Sequence, residues 1–118
     1  MRHRVAGRKF GLPSDQRMAL LKGLLRALLI HGEIETTETR AKDLRAIAEK
    51  VITTARTNDM HSRRLARRWL NDEDLVKSLF ENVAPKFASK PGGYTRMTKI
   101  GRRRGDAAPV VKLELSAD

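Results

Sequence analysis

The chain has 118 residues, and its 25 Lys and Arg against 14 Asp and Glu give a formal net charge of +11 at pH 7. This length fits one domain that can build its own core, and the absence of cysteine excludes disulfides and thiolate metal sites. The apolar stretch from Met18 to Ile30 is interrupted by Lys22 and Arg26 and is too short to cross a bilayer. Surface association with an anionic membrane is a less favoured alternative, because the most basic segments carry few apolar anchors, and we expect no membrane partner.

Two stretches of the sequence, residues 1–14 and 82–105, contain basic residues and no acidic residue. Together they hold eleven of the basic residues, and the rest of the chain is charge-balanced. Because unpaired cations at this density repel one another, a polyanion is the expected partner. The alternative is a solvated basic surface that only keeps the protein soluble.

Residues 1–13 show no regular apolar period and contain two glycines and a proline. This composition predicts an extended basic arm, followed by one globular domain over residues 14–118. A first helix is predicted from an N-cap at Ser14 to a stop at Gly32. Its apolar stripe consists of Met18, Leu21, Leu24, Leu25, Leu28 and Leu29.

A short strand is predicted over Glu33 to Glu38, where Ile34 is followed by two threonines. A second helix is predicted from about Thr39, because apolar residues then recur at helical spacing. Its predicted buried positions are Ala41, Leu44, Ile47, Ala48, Val51, Ile52 and Ala55.

Two more helices follow, and each begins at a capping signal. The pair Asn58-Asp59 precedes a helical period from Met60 to Leu70, with Leu65, Ala66, Trp69 and Leu70 on one side and Arg63, Arg64, Arg67 and Arg68 on the other. The acidic run Asp72 to Asp74 predicts the start of a fourth helix, which Pro85 is expected to end. Its apolar face consists of Leu75, Val76, Leu79, Phe80 and Val83.

The C-terminal part predicts two strands, Tyr94 to Ile100 and Val111 to Leu115, separated by a charged loop over Gly101 to Asp106. The predicted order of elements is therefore α-β-α-α-α-β-β. Three strands cannot bury both faces of a sheet, so we expect a two-layer α+β domain with the helices packed on one face of a small three-stranded sheet. The order of the strands in the sheet cannot be read from the pattern.

The sequence offers no arrangement typical of catalysis. His3, His31 and His61 are isolated, and no nucleotide-binding glycine pattern is present. The carboxylates of residues 72–74 are explained by helix capping. We therefore expect no enzyme activity, metal site, cofactor or small-molecule substrate. A small RNA-processing enzyme remains the remote alternative.

The basic residues favour nucleic-acid binding, because the arginine fork matches phosphate oxygens and stacks on bases. The main candidates are the loop arginines Arg102, Arg103 and Arg104, and the mixture of Lys90, Tyr94, Arg96 and Lys99, which places an aromatic ring among cations. For Tyr94, ordinary packing on a sheet is an equally good interpretation. The helical group Arg63, Arg64, Arg67 and Arg68 ranks below them, because such faces are often only solvated.

The distribution of charge favours RNA over DNA. A protein that reads the major groove usually concentrates its contacts on one recognition helix, whereas the densest charge of this chain lies on an arm and loops. That distribution suits an irregular folded polyanion, which means structured RNA. An architectural DNA-binding protein of the nucleoid is the alternative.

Four short stretches form a recognisable series. They are Met1-Arg2-His3-Arg4 with Gly7-Arg8-Lys9, then Ile34-Glu35-Thr36-Thr37 leading to Arg40-Ala41-Lys42, then Gly92-Gly93-Tyr94-Thr95-Arg96, and last Arg103-Arg104-Gly105-Asp106 with Ala108-Pro109 and Glu114-Leu115. In this order, and in a chain of this length, they resemble the bacterial large-subunit ribosomal protein seventeen family along essentially the whole chain.

The resemblance implies a structural role in translation, and it implies the same order of elements. The expected partners are large-subunit ribosomal RNA, near the exit of the peptide tunnel, and neighbouring ribosomal proteins. The expected location is the cytoplasmic ribosome. On the matching positions, the resemblance places RNA contacts at Arg2, His3, Arg4, Arg8, Lys9, Tyr94, Arg96, Arg103 and Arg104.

Overall fold

A computed structural model describes residues 14–57, 59–88 and 92–116. The described residues form α1 (Ser14–His31), β1 (Glu33–Thr37), α2 (Glu38–Ala55), α3 (Met60–Leu70), α4 (Glu73–Ser78), a π-helical turn (Leu79–Val83), a 3₁₀ turn (Ala84–Phe87), β2 (Thr95–Arg102) and β3 (Pro109–Leu115). The predicted α+β class and element order are confirmed. The predicted arm over residues 1–13 lies outside the described residues.

The sheet is antiparallel, with β3 in the centre and β1 and β2 on either side. Leu113 of β3 is paired with Ile34 of β1 and with Met97 of β2. Because directly paired residues share a face of the sheet, these three side chains point to the same side. Leu113 is fully buried there, and this is the face that the helices cover.

The helices α1 and α2 lie on the sheet, and α3 and α4 pack against them. The predicted stripes of α1 and α2 supply much of the core, since Leu25, Leu28, Leu44 and Ala48 are fully buried. Gly32 ends α1 with a left-handed φ of 80°, a conformation that costs little only without a Cβ. None of the described helices is long and apolar enough to span a membrane.

The predicted capping signals of α3 and α4 are confirmed where they are described. Asp59 and Ser62 form a reciprocal capping box, in which the Ser62 N–H donates to Asp59 Oδ1 at 2.7 Å and the Asp59 N–H donates to Ser62 Oγ at 2.9 Å. Asp72 Oδ1 accepts from the backbone N–H groups of Asp74 and Leu75, at 3.0 and 3.3 Å. Each cap satisfies donors that the helix itself leaves open.

The prediction that Pro85 ends the fourth helix is wrong in detail. The α-helical pattern ends earlier, at Ser78, and the chain then continues through the π-helical turn and a 3₁₀ turn that reaches Phe87. Pro85 is the second residue of that 3₁₀ turn, a position where its missing N–H is not needed for a helical hydrogen bond. The proline therefore lies inside the helical path.

The prediction of a loop over Gly101 to Asp106 is also corrected. A β-bulge between Lys99 and Gly101 lets pairing resume, so that Gly101 lies opposite Val110 and Arg102 opposite Pro109. The strand β2 therefore runs to Arg102, and residues 103–108 form the connection to β3. At the other end, Tyr94 precedes β2, and Glu38 belongs to α2 and not to β1.

Candidate nucleic-acid interface

The tip of the β2–β3 hairpin is an exposed basic segment, since residues 101–107 are all exposed. Two backbone hydrogen bonds shape the turn: the Arg103 N–H donates to the Ala108 carbonyl at 2.8 Å, and the Ala107 N–H donates to the Arg103 carbonyl at 3.0 Å. The tip is thereby a defined turn, and it carries the predicted Arg102, Arg103 and Arg104 side by side.

The three arginines of the tip differ in how far they are already engaged. Arg103 forms an ion pair with Asp106, with Nη2 on Oδ2 and Nε at 3.2 Å from Oδ1. Arg102 Nη1 donates to the Ala107 carbonyl at 3.0 Å. Arg104 makes no hydrogen bond or ion pair with any residue that the structure describes. Arg104 is therefore the most available of the three for an external anion.

The ion pair also fixes the charge state of the tip. The hydrogen bond from Arg103, together with one from the Ala108 N–H, lowers the pKa of Asp106 from 3.8 to about 2. The carboxylate therefore stays ionised at neutral pH and holds Arg103 in place. Sequence analysis missed this pairing, because the acid-free stretch over residues 82–105 ends one position before Asp106.

Arg96, another predicted contact, lies among carboxylates on the open face of the sheet. The register places Arg96 opposite Glu114, and Glu114 opposite Glu33 on the other edge strand. Lys112 Nζ lies 3.7 Å from Glu33 and 4.0 Å from Glu114. The charge segregation seen along the sequence is therefore absent on this face, because the sheet brings acids of β1 and β3 beside Arg96.

Tyr94 is a core residue, which corrects its assignment as an RNA contact. Its side chain is fully buried, and its ring meets that of Phe87 edge to face at a centroid distance of 5.1 Å. The hydroxyl accepts from Arg56 Nη1 at 3.0 Å and lies 3.2 Å from Thr53 Oγ1. Because no face of the ring is exposed to a base, the packing interpretation holds.

The predicted arginines of α3 lie in the helical layer, since α3 packs against α1, α2 and α4. The Arg63 guanidinium lies 5.0 Å from the centroid of the Phe80 ring. Arg64 Nη2 lies 3.6 Å from Met60 Sδ, and Arg67 forms an ion pair with Glu73. These side chains are exposed or partly exposed, but each has a partner within the helical layer.

Lys99 is exposed on β2. Because it is paired with Val111, whose side chain is buried against the helices, Lys99 points toward the helical side at the end of the sheet. The remaining predicted contacts, Arg2, His3, Arg4, Arg8, Lys9 and Lys90, lie outside the described residues and stay predictions.

The structure adds one basic residue that sequence analysis did not select as a contact. Arg40, in the first turn of α2, lines a cleft of about 340 Å³ together with Ala108 and Pro109, next to the hairpin tip. Its sequence signal was indirect, since Arg40 belongs to one of the four stretches that carry the family resemblance.

The structure offers no built metal site in the part of the chain that it describes, because no group of three or more His, Asp or Glu side chains converges there. The absence of a metal or cofactor in the working protein stays a prediction.

A small α+β domain that presents an arginine-rich hairpin tip, in a chain of net charge +11, is typical of compact basic proteins that bind nucleic acid. Comparison with known proteins gives the family. Residues 20–116 match the family model of ribosomal protein L17.

Individual relatives agree with the family match. The chain is 59% identical over 108 residues to the large ribosomal subunit protein bL17 of Clostridium botulinum (strain Eklund 17B / Type B), covering 92% of this chain and 96% of that protein. It is 56% identical, with the same coverage, to the proteins of that name from Clostridium perfringens (strain 13 / Type A) and Clostridium kluyveri (strain NBRC 12016).

The chain therefore belongs to the ribosomal protein L17 family, which confirms the resemblance seen in the sequence. Membership of this family makes it a structural protein of the large ribosomal subunit, located in the ribosome.

Proposed function

We propose that this protein binds folded large-subunit ribosomal RNA, near the exit of the peptide tunnel, and holds neighbouring RNA segments together. One observation carries the RNA-binding part of the proposal: the exposed tip of the β2–β3 hairpin presents Arg102, Arg103 and Arg104 with Asp106 as its one acid. The role is structural, with no catalytic step.

The mechanism is charge neutralisation by positioned cations. RNA segments that approach each other repel through their phosphates, and guanidinium groups between them offset that repulsion. Arg104 makes no hydrogen bond or ion pair with the described part of the chain and can donate directly to a phosphate, while Arg103 and Asp106 keep the turn in shape. The helices and the sheet serve as a rigid body that fixes where these charges lie.

The N-terminal residues extend this proposal. Arg2, His3, Arg4, Arg8 and Lys9 belong to the second acid-free basic stretch, and we include them as RNA contacts. Together with the hairpin tip they would grip RNA at two places. The 14–118 region would be the single domain that joins them.

The location near the tunnel exit, beside neighbouring large-subunit proteins, rests on family membership. It is tested by placing a photocrosslinker at exposed Thr98 in assembled large subunits and identifying the crosslinked RNA and proteins. Crosslinks to components that line the tunnel exit are expected. Crosslinks confined to the subunit interface side would contradict the location without affecting RNA binding.

The direct test of RNA binding is the triple substitution of Arg102, Arg103 and Arg104 by Ala. Because all three side chains are exposed, the melting temperature should stay nearly unchanged. The affinity for folded ribosomal RNA should fall, and the log–log salt slope should become shallower by about 0.7 to 0.9 for each phosphate that is no longer neutralised. Binding is measured by filter retention or fluorescence anisotropy across a salt series.

The matched control removes three exposed basic residues from the helices, Arg45, Lys50 and Lys77. This variant has the same net charge as the hairpin variant, so a general electrostatic effect would weaken both equally. We expect the control to keep most of the affinity. Equal decreases in both variants, or tighter binding of duplex DNA than of folded RNA at matched salt, would refute the proposal and favour an architectural DNA-binding role.

A further inference from the structure

The cleft of about 340 Å³ beside the hairpin tip joins two parts of the chain that are far apart in sequence. Its walls are Thr37, Glu38, Thr39, Arg40, Ala108 and Pro109. The first four residues form the turn from β1 into α2, and the last two lead from the hairpin tip into β3. Both parts belong to stretches that carry the family resemblance, and the function proposed above does not use the first of them.

The sheet register explains why these parts meet. Thr37 at the end of β1 is paired with Val110, and Arg102 at the end of β2 is paired with Pro109. Both strands therefore end beside the same end of β3. With neighbouring strands about 4.8 Å apart, the start of α2 lies about 10 Å across the sheet from Arg102.

Four cationic side chains gather around this junction. Lys42 Nζ lies 3.1 Å from Glu38 Oε1. Lys99 and Arg102 of β2 are paired with Val111 and Pro109, which puts both on the helical side of the sheet, at the end where α2 begins. The hydrogen bond and charge of Lys42, and more weakly the charges of Lys99 and Arg102, lower the pKa of Glu38. Arg40 lines the cleft next to them.

Glu38 therefore neutralises only one of the four cations. The net positive charge around the cleft is therefore larger than the charge of Arg102 alone. The start of α2 adds to it in a minor way, because Thr37 makes no side-chain capping bond to the first turn and the N-terminal end of a helix carries partial positive charge.

We propose that this cleft is a second RNA-backbone contact, in which Arg40 and Lys42 bind phosphates together with Lys99 and Arg102. The inference rests on the proposed function and extends its contact surface from the hairpin tip to the β1–α2 turn. Glu38 acts as a placeholder: in the free protein it pairs with Lys42, and in the complex a phosphate takes its place.

RNA suits this surface better than an acidic protein segment, because the cations follow one another: Arg102 lies opposite Pro109 at the cleft, and Arg103 and Arg104 continue the series along the chain to the tip. A polynucleotide strand carries a charge at every residue and can follow such a series. A single acidic side chain would occupy only the cleft and would leave the other cations of the series without an added anion.

The experiment compares three variants of the full chain in binding folded large-subunit RNA across a salt series. Arg40→Ala with Lys42→Ala should weaken binding about tenfold and make the log–log slope shallower by about 1.4 to 1.8, the value for two phosphates that are no longer neutralised. Glu38→Gln should bind more tightly than the unmodified chain, because it removes the carboxylate that competes with phosphate. The charge-matched control is Lys50→Ala with Lys77→Ala, both exposed on other surfaces. It should change neither the RNA affinity nor the salt slope by as much as half of its value.

Circular dichroism and the melting temperature show whether each variant folds, and Arg40→Gln with Lys42→Gln replaces the alanine pair if folding is affected. If the cleft variant binds RNA like the control while the Arg102–Arg104 variant binds weakly, the inference fails and the proposed function stands. If both variants bind like the control, the proposed function fails as well. Loss of a neighbouring ribosomal protein, with RNA affinity unchanged, would identify a protein as the occupant and overturn the inference.

Discussion

Replacing Tyr94 with Phe tests whether this residue acts inside the core. The substitution keeps the ring and its edge-to-face contact with Phe87 and removes only the hydroxyl. In the structure that hydroxyl accepts from Arg56 at 3.0 Å and lies 3.2 Å from Thr53 Oγ1. Its removal leaves Arg56 Nη2 bonded to the Ala88 carbonyl at 2.9 Å.

The expected cost follows from these partners. A hydrogen bond to a charged group contributes about 1.5 to 3 kcal/mol, and one between neutral groups about 1 kcal/mol. Arg56 is exposed and retains its second bond, so the lower part of the range applies. We expect a decrease of about 2 kcal/mol in the free energy of unfolding. For a domain of this size, that lowers the Tm by about 8 °C.

The assay is urea denaturation followed by circular dichroism, with RNA affinity measured at a temperature where both proteins are folded. The affinity per folded molecule should be unchanged. Thr98→Val, on the exposed part of β2, serves as a control for removal of a hydroxyl and should leave stability nearly unaltered. A Tyr94→Phe protein of full stability, together with a folded Tyr94→Leu protein that binds RNA tenfold more weakly, would restore the stacking role.

Two further predictions concern the hairpin tip and the start of α3. The Asp106 carboxyl should titrate at a pKa of about 2 in carbon-detected NMR, so its pairing with Arg103 should be nearly complete above pH 4 and half lost at the midpoint. Arg103→Gln should move the midpoint back toward 3.8, and a midpoint near 3.8 in the unmodified protein would contradict the ion pair. Ser62→Ala removes a buried hydroxyl from the capping box and should lower the free energy of unfolding by about 1 kcal/mol. This is measured as a lower urea midpoint at constant slope, and an unchanged midpoint would show that the box does not stabilise α3.

The helices were predictable because their signals are local. An apolar residue every three or four positions, with Asp59 or Asp72 ahead, determines a helix within one or two turns of chain. The alternation of Val111, Leu113 and Leu115 in β3 is a local signal of the same kind. The structure confirms α3 over the predicted range Met60–Leu70.

The features that were missed depend on contacts between distant parts of the chain. The position of β3 between β1 and β2 places Glu33 and Glu114 in one row with Arg96, and no local pattern encodes that row. Tyr94 looked like an aromatic among cations, but its partners lie 38 to 45 residues earlier, at Arg56, Thr53 and Glu49.

The candidate site was predicted in outline, because a run of three arginines between glycines is visible in the sequence itself. The differences between the three arginines of the tip could not be predicted, because they depend on the folded geometry of the hairpin. The β-bulge near Lys99 extends β2 into the expected loop. The turn then brings Asp106 onto Arg103 and leaves Arg104 without a hydrogen bond or ion pair among the residues that the structure describes.

The central claim is that the cations of the hairpin tip lie against RNA phosphates in the assembled ribosome. A cryo-electron microscopy map of the large subunit containing this protein tests it directly. Guanidinium nitrogens of Arg104 and Arg102 should lie about 2.7 to 3.2 Å from phosphate oxygens. A map in which the tip of the hairpin faces open solvent, with no phosphate near these side chains, would contradict it.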